Sequence, residues 1–410
     1  MMSMMKKILD FLKSGFKNVE AVYENIFCGD LFFRQARRVV LEDLNGNFDG
    51  NGIAGNCKKH VDVIVCGIDE LTTAIIRQLA FICHYPNFDE KKGANRTKIS
   101  IIYSCIDFNS AYDKIKSATG NLLNECCWSY YECTDDGCGV LKSTRNCDSY
   151  IDIELDFVNL NGVSAELFLR QYVKSNVNSI ISLLYRSQMY DLSSCITDIH
   201  DAFLNIYEID DKNLNISAKD ELIDVRKAQL VNMIYNAGIN MNEIYAKDIY
   251  NVQSYNRALS ILFKYTSRKK VLSQWNNLTK EYKLSNIFCA DCFDIRARCA
   301  MSMLGKGRGS VKRNLKEAIE TNLESLAKVE HARWNVEKLL LGYRAYTKEE
   351  HYADEFLLGH EQAEARKLMK NKKIHIDICS YSSLIRIDPY SSKYDCLLTL
   401  AIDDILDMCK

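Results

Sequence analysis

Residues 61–83 read VDVIVCGIDELTTAIIRQLAFIC. Residues 61–66 form a continuous apolar run broken by one aspartate, the signature of a buried strand. Residues 69–83 carry their apolar side chains at helical spacing. Gly67 stands between the two. Strand, glycine turn and helix make up the unit from which a doubly wound α/β domain is built. Similar runs recur at KISIIYSC (98–105), YIDIELDFV (150–158) and NSIISLLY (178–185). Helical patterns follow at about 110–118, 163–174 and 191–206. This alternation predicts an α/β, Rossmann-like parallel sheet with helices on both faces. Right-handed crossovers then place every strand-to-helix turn on one edge, where ligands bind. Two stretches interrupt the pattern. Residues 85–97 are a polar loop holding Pro86, and residues 120–149 carry Cys126, Cys127, Cys133, Cys138 and Cys147.

Outward from this unit, residues 1–59 read as an N-terminal helical segment. Ile8, Phe11, Leu12 and Phe16 recur at helical spacing, as does a second stretch from Val19 to Leu41. NGNFDGNGIAGN (45–56) reads as a loop or linker by its Gly and Asn content. Residues 60–210 are the Rossmann-like domain. Residues 211–310 are a helical linker region, in which Gly238 and Gly305 fit helix stops and GKGRGS (305–310) a flexible joint. Residues 311–410 form a last, mostly helical unit. It has a long helix over 315–341, a variable loop, a short helix near 360–370 and a final helix from about 394.

Composition narrows the function classes. The 410 residues hold 53 Lys+Arg against 54 Asp+Glu, a net charge of −1 that excludes a general nucleic-acid binder. A basic run (Lys306, Arg308, Lys312, Arg313, Lys316) is only local. No apolar run reaches the roughly 18 residues of a membrane span, and the start is too broken by Lys and Asp for a signal peptide. A cytoplasmic location is expected. There the 17 cysteines act mainly as small buried hydrophobes. Cys289 and Cys292 have C-x-x-C spacing, but no second pair completes a zinc site, and none of the spacings in 126–147 matches a metal pattern. No metal is expected. Only 2 prolines occur, against roughly twenty at ordinary usage, so long helices are favoured.

Gly67 occupies the place of a phosphate turn. Of the G-x-G-x-x-G fingerprint only this first glycine is present, and Asp69 and Glu70 put carboxylates where a pyrophosphate would sit. Asp69 suits a helix N-cap. Asp107, 40 residues after Gly67, could accept from a ribose hydroxyl, the 85–97 insertion accounting for the excess over the usual spacing of about 20. Gly67, Asp69, Thr72 and Asp107 are therefore the candidate contacts to NAD or another dinucleotide, whose identity is left open.

LAKVEHARWNVEKLLLGYR (326–344) is the most distinctive segment. Helical spacing puts Glu330, Trp334 and Glu337 near one face with Arg333 beside them. Trp offers a stacking surface, Arg pairs phosphate or carboxylate, and Glu accepts from amino or hydroxyl groups. The same residues also suit a buried Trp with charges that fix a helix junction, and spacing does not separate the two.

Glu330, His331, Arg333, Trp334, Glu337, Lys338, Leu339, Gly342 and Tyr343 fit E-H-x-R-W-x-x-E-K-L-x-x-G-[WY]. Lys372, Lys373, His375, Asp377, Tyr381 and Leu384 fit K-K-x-H-x-D-x-x-x-Y-x-x-L, with Lys393, Tyr394 and Asp395 beyond it. Over about 320–408 the chain resembles the RyR domain, named for the repeats of ryanodine receptors and found also in bacterial proteins. Two positions depart from the pattern: Tyr343 replaces the usual Trp, and Ile385 stands where a proline usually follows Leu384. Trp275, Leu278, Ser285, Asn286 and Ala290 are similar to the linker of bacterial proteins that join a TrkA-N-type Rossmann domain to a C-terminal RyR domain.

The resemblance implies a ligand-sensing or regulatory protein, not an enzyme, acting in signalling or defence and binding a nucleotide-derived small molecule. It assigns ligand contact to Glu330, His331, Arg333, Trp334, Glu337, Tyr343, Arg344, Lys373, His375 and Tyr381. Trp334 or Tyr343 would stack and Arg333 or Arg344 would meet phosphate. A homo-oligomer or an effector partner is expected. Two rival readings are a regulatory interaction subunit that binds no small molecule, and an NAD(P)-dependent enzyme using His84 or His200.

Overall fold

The computed structural model describes residues 23–24, 30–104, 106–134, 137–143, 149–186, 192–209, 223–240, 250–304 and 314–409. The helix expected over 8–16, Gly305 and the 305–310 joint lie outside them. Helix α1 (Leu31–Arg37) runs into a π-helical segment (Arg38–Asp43). Strands β1 (His60–Cys66), β2 (Thr97–Tyr103), β3 (Cys127–Thr134), β4 (Gly137–Ser143), β5 (Ile153–Asn159), β6 (Ser179–Tyr185) and β7 (Phe203–Glu208) form one sheet. Its order is β4-β3-β5-β2-β1-β6-β7. Six strands run parallel, and β4 returns antiparallel to β3. With the β3–β4 hairpin set aside, the order from one edge is third, second, first, fourth, fifth, as in doubly wound dinucleotide-type sheets. Helices α2 (Glu70–Ile82), α3 (Phe108–Thr119), α4 (Ala165–Ser175) and α5 (Ser193–Ile199) lie between strands.

The apolar run of β1 is explained by burial on both faces. Val61, Val63 and Val65 enter the larger core, while Ile64 and Cys66 face a smaller one under α4. Two expectations need correction. Within the 120–149 stretch, β3 and β4 are part of the sheet, because Trp128 and Tyr130 alternate onto an aromatic cluster with Phe108, Tyr112 and Phe157. The helix expected over 191–206 ends at Ile199, and after the 3-10 turn His200–Ala202 the chain becomes β7. Asn205 anchors that strand by donating to the Asn47 carbonyl at 2.6 Å and the Ser182 hydroxyl at 3.2 Å.

The helical region follows as α6 (Arg226–Asn240), α7 (Val252–Tyr265), α8 (Arg268–Asn276), α9 (Lys280–Asp291) and α10 (Phe293–Met303). Gly238 lies inside α6 and stops nothing. The last part comprises α11 (Leu315–Thr321), α12 (Leu323–Leu340), β8 (Arg344–Ala345), α13 (Lys348–Glu355), α14 (Gly359–Asn371), β9 (Ile374–His375), α15 (Tyr381–Ile387), α16 (Pro389–Leu400) and α17 (Ile402–Cys409). The helix expected over 315–341 breaks at Asn322, and the variable loop contains α13, started by a Thr347–Glu350 capping box. The final helical stretch begins at Pro389, in the first turn of α16, where its missing N–H matters least. Among the described residues no helix is long and apolar enough to cross a membrane.

One continuous core joins a sheet face to these helices, from Phe33 to Ile405. Phe81 of α2 stacks on Phe288 of α9 at 4.0 Å, and Arg37 pairs with Asp291 at 2.6 Å. The 45–56 segment packs on α10 and does not act as a free linker: buried Asp49 takes Arg298 at 2.7 Å. Most of the described cysteines are free and buried, but Cys133, which stands opposite Cys138 in the β3–β4 hairpin, is disulfide-bonded.

The turn after α3 caps α12. Asn121 donates from its backbone to the Leu339 carbonyl at 2.9 Å, and from its side chain to the Gly342 and Tyr343 carbonyls at 2.9 and 3.0 Å. The Leu339 carbonyl belongs to the last turn of α12, where carbonyls lack an intrahelical partner, and Gly342 and Tyr343 follow in the turn beyond it. Gly120 permits the approach: its φ is +57°, and a Cβ would lie 2.7 Å from the Leu339 oxygen. Gly120→Ala is expected to cost about 2 kcal/mol. The urea midpoint should fall with an unchanged slope, and an unmoved midpoint would show that the turn tolerates a side chain.

Candidate functional site

Helix α12 carries EHARWNVEK, and its periodicity sorts these residues into two layers. Glu330, Arg333 and Glu337 are 0, 1 and 0% exposed. Arg333 donates to both Glu330 oxygens at 2.9 Å and to Glu337 Oε2 at 2.5 Å. Arg296 of α10 reaches Glu330 at 2.6 Å, and Ser285 of α9 donates to Glu337 at 2.5 Å. Burial alone would raise both carboxyls. Arg296 and Arg333 outweigh it at Glu330, and Lys338 and Arg333 at Glu337, so both stay below the usual range. Arg333, expected to meet phosphate, is wholly committed to these glutamates. All three residues tie α12 to α9 and α10, behind the cavity wall rather than on it.

The other layer faces a cavity of about 750 Å³ between α6, α9, α12, α14, α16 and the 374–377 segment. Of the residues expected to contact ligand, His331, Trp334 and His375 line it. Half-buried Trp334 lies nearly parallel to His331 (6.0 Å, 14°) and meets His375 edge-on at 5.0 Å. Lys338 stands 5.6 Å from the centre of its ring.

Three buried polar atoms of the lining have no hydrogen-bond partner: Asn232 Nδ2, Asp377 Oδ1 and Asp395 Oδ2. His331 donates from Nε2 to the Cys379 carbonyl at 2.9 Å, which leaves the lone pair of Nδ1 facing Asp395 Oδ2 at 3.6 Å. Burial pushes Asp395 well above the carboxylate range and His331 down to about 4. Burial, with Lys370 and Lys338 nearby, pushes His375 down to about 3. Burial and the Asp388 charge lift Asp377 to about 6. At neutral pH the inner wall therefore presents neutral imidazoles, and burial favours the protonated form of Asp395. Lys370 supplies positive charge beside Lys338, which pairs with Glu337 at 3.0 Å, and Lys367, which pairs with Glu364 at 3.7 Å, while Arg366 is held by Asp354 at 2.9 and 2.6 Å.

The remaining expected contacts do not line the cavity. Tyr343 and Lys373 converge on Glu281 at 2.9 and 3.1 Å, with the Lys373 ammonium 4.4 Å from the tyrosine ring centre. Arg344 forks onto Glu350 at 2.7 Å. Tyr381 is buried behind His331, 5.6 Å from it. Residues that sequence reasoning missed as contacts are Asn232 and Tyr235 of α6, Tyr282 and Ser285 of α9, Asp377, Asp388, Tyr394 and Asp395. A signal existed for some. Asn232, Tyr235 and Asn236 form a polar stripe on an apolar helix, and Asp377, Tyr394 and Asp395 lie within the quoted motif.

The Gly67 turn sits at the switch point between β1 and β6, where such sheets hold ligands. Gly67 has φ +114° and donates to the Ile102 carbonyl at 2.8 Å. Asp69 caps α2 reciprocally with Thr72 (2.9 and 2.8 Å), and its other oxygen pairs with Arg186. Asp107 caps α3 through Asn109 and Ser110. The carboxyls of Asp69 and Asp107 and the Thr72 hydroxyl are thus all engaged within the chain. His84 is buried between Asp152 and the Ala80 carbonyl, both at 2.9 Å, and His200 lies near Asp201 at the surface. Cys289 and Cys292 pack inward, donating to Glu330 and to the Phe81 carbonyl at 3.4 Å. Among the described residues no group of three or more His, Cys, Asp or Glu could hold a metal ion.

Compared with known protein families, with characterised proteins and with solved structures, the chain finds no match.

Proposed function

We propose that this chain is a cytoplasmic ligand sensor in which α12 to α16 form an RyR-type unit. Its cavity binds a nucleotide-like molecule, the flat ring against Trp334 and the phosphate towards Lys338, Lys367 and Lys370. The observation that carries the reading is the cavity itself. Its volume falls within the roughly 300–1,000 Å³ of small-molecule sites. A half-buried indole between two imidazoles supplies a stacking platform. The unpartnered Asn232, Asp377 and Asp395 atoms supply hydrogen-bonding capacity that is costly to leave unmet and that a polar ring edge would satisfy. The role is recognition without turnover, with Arg333 and Glu330 holding the wall rigid behind the ring.

Thermal shift and calorimetry with ATP, ADP-ribose, NAD and cyclic nucleotides test this reading. At least one should raise the melting temperature, since a ligand at 100 times its Kd adds about 2.7 kcal/mol. Trp334→Ala should weaken that binding at least tenfold while leaving the ligand-free protein folded. Equal binding by the variant would remove Trp334 from the site, and silence across the whole panel would remove the nucleotide.

A further inference from the structure

Of the three unpartnered atoms in the cavity lining, Asn232 Nδ2 and Asp395 Oδ2 come from α6 and α16, whereas Asp377 Oδ1 comes from the segment that follows β9. Asp377 is 7% exposed. Its other oxygen accepts from the Ser391 hydroxyl at 2.9 Å, and its backbone N–H donates to His375 Nδ1 at 3.3 Å. The carboxylate is thereby fixed in place with one oxygen unmet. Position also separates it from the stacking platform. His375 meets Trp334 edge-on at 5.0 Å, and Asp377 Oδ2 lies 3.8 Å from His375 Nδ1. The carboxylate thus stands beyond the imidazole, beside the indole rather than against it. Lys370 lies close enough to act on both His375 and Asp377. A stacking ring, a buried carboxylate and an ammonium are therefore neighbours. Asn232 and Asp395 suffice for the edge of a flat ring, and Asp377 is placed for the group bonded to it.

Charge narrows what that group is. Burial and the Asp388 charge lift Asp377 to about 6, so a little above neutral pH it is ionised and can only accept hydrogen bonds. Asp388 does not reinforce it as a cation site. Its oxygens are spent on the first turn of α16, taking the Tyr390 and Ser391 N–H groups and the Ser391 hydroxyl, each at 3.1 Å. Arg366 and Lys370 already bring positive charge to Asp377. A neutral donor meets the open oxygen without adding to that charge, and a sugar hydroxyl is such a donor. Acceptance from ribose hydroxyls is the part that an acidic side chain plays in dinucleotide folds. Asp107, the residue expected to play it here, is engaged in capping α3. We propose that Asp377 selects ribonucleotides, its Oδ1 accepting from the 2′,3′-diol of the sugar whose base lies on Trp334. The proposal rests on the nucleotide reading above and names within it the class of ligand, one that carries a free diol.

Calorimetry on the full chain, a little above neutral pH, tests it. The probes are ATP, ADP-ribose and NAD, each against analogues that lack the 2′- or the 3′-hydroxyl of the adenosine. On the native chain at least one of the two deletions should weaken binding about tenfold or more, as loss of a hydrogen bond to a charged group does. Asp377→Asn should weaken the parent nucleotide by a similar factor and leave that analogue unchanged within about twofold. A merely structural role would weaken both alike. The comparison on the native chain stands even if the variant folds poorly, which its ligand-free melting temperature reports. Analogues that bind the native chain as tightly as their parents overturn the proposal and leave the nucleotide reading in place. So does a folded Asp377→Asn chain that still prefers the parent to the same degree. Silence from every parent nucleotide overturns both.

Discussion

Arg333→Met is expected to lose about 3–5 kcal/mol of stability, the range for removing one partner from a buried ion pair. The size follows from what remains. Glu330 would keep Arg296, and Glu337 would keep Lys338 and Ser285, but Glu330 would lose its forked guanidinium contact and Glu337 its single one, both at complete burial. A carboxylate left under-compensated in a dry core carries its desolvation penalty unopposed. Arg333→Lys should recover little, because an ammonium cannot bridge two carboxylates in the plane that the guanidinium occupies. Urea unfolding reads the loss, and a change below about 1 kcal/mol would show that the network is dispensable. The pH dependence has a definite sign. Glu330 and Glu337 titrate below their unfolded range in the native state, so their contribution is full above that range and is lost as pH falls through the lowered native values. Arg333→Met should flatten this acid limb. Because Arg333 lies behind the cavity wall, this variant and Trp334→Ala separate two roles: one unfolds readily and the other fails to bind.

That separation marks where the sequence stops being readable. Helical spacing places Glu330, Arg333, Trp334 and Glu337 close together, yet it does not say which side faces a cavity and which a neighbouring helix. The three charged residues were open to either reading, and Arg296 of α10, far away in sequence, turns them inward. The sheet was more legible. VDVIVC and KISIIY are buried on both faces, so their apolar runs need no partner to be recognised. The β3 strand was harder because its face is half covered: its order comes from Trp128 and Tyr130 meeting Phe108 and Phe157 across the fold. β7 was missed because FLNIYE suits a helix as well as a strand and is fixed by the Asn205 bonds to Asn47 and Ser182. The cavity was legible only in half. The motif supplies one wall, but Asn232, Tyr235 and Ser285 come from helices read as linker, and only tertiary packing brings them across.

Asp156→Asn is expected to stabilise the protein above pH 7, by roughly 2–4 kcal/mol. A polar seam crosses the buried face of the sheet under α4. The register sets Asp62 of β1 beside Lys98 of β2, and Ser100 of β2 beside Asp156 of β5. Lys98 reaches Asp156 at 3.2 Å, while Tyr172 and Ser100 donate to Asp62. Asp156 Oδ1 has no partner, and the residue is 2% exposed. One ammonium thus serves two buried carboxyls. Burial pushes Asp156 up to about 7 and Asp62 up to about 6 despite the pull of Lys98. An aspartate in the unfolded chain ionises near 4. Between these values the native state holds protons that the unfolded state has released, so stability falls as pH rises. Asparagine matches the neutral acid in shape and has no charge to desolvate, so the variant should equal the native protein near pH 4 and exceed it at pH 8. Asp62→Asn should change the slope less, because Asp62 is lifted less and the variant gives up the Tyr172 and Ser100 bonds to a carboxylate. Unfolding free energies across this pH range decide the matter. A variant that is less stable than the native chain at pH 8 would mean that Lys98 offsets the burial of Asp156 and holds it in the ordinary carboxylate range.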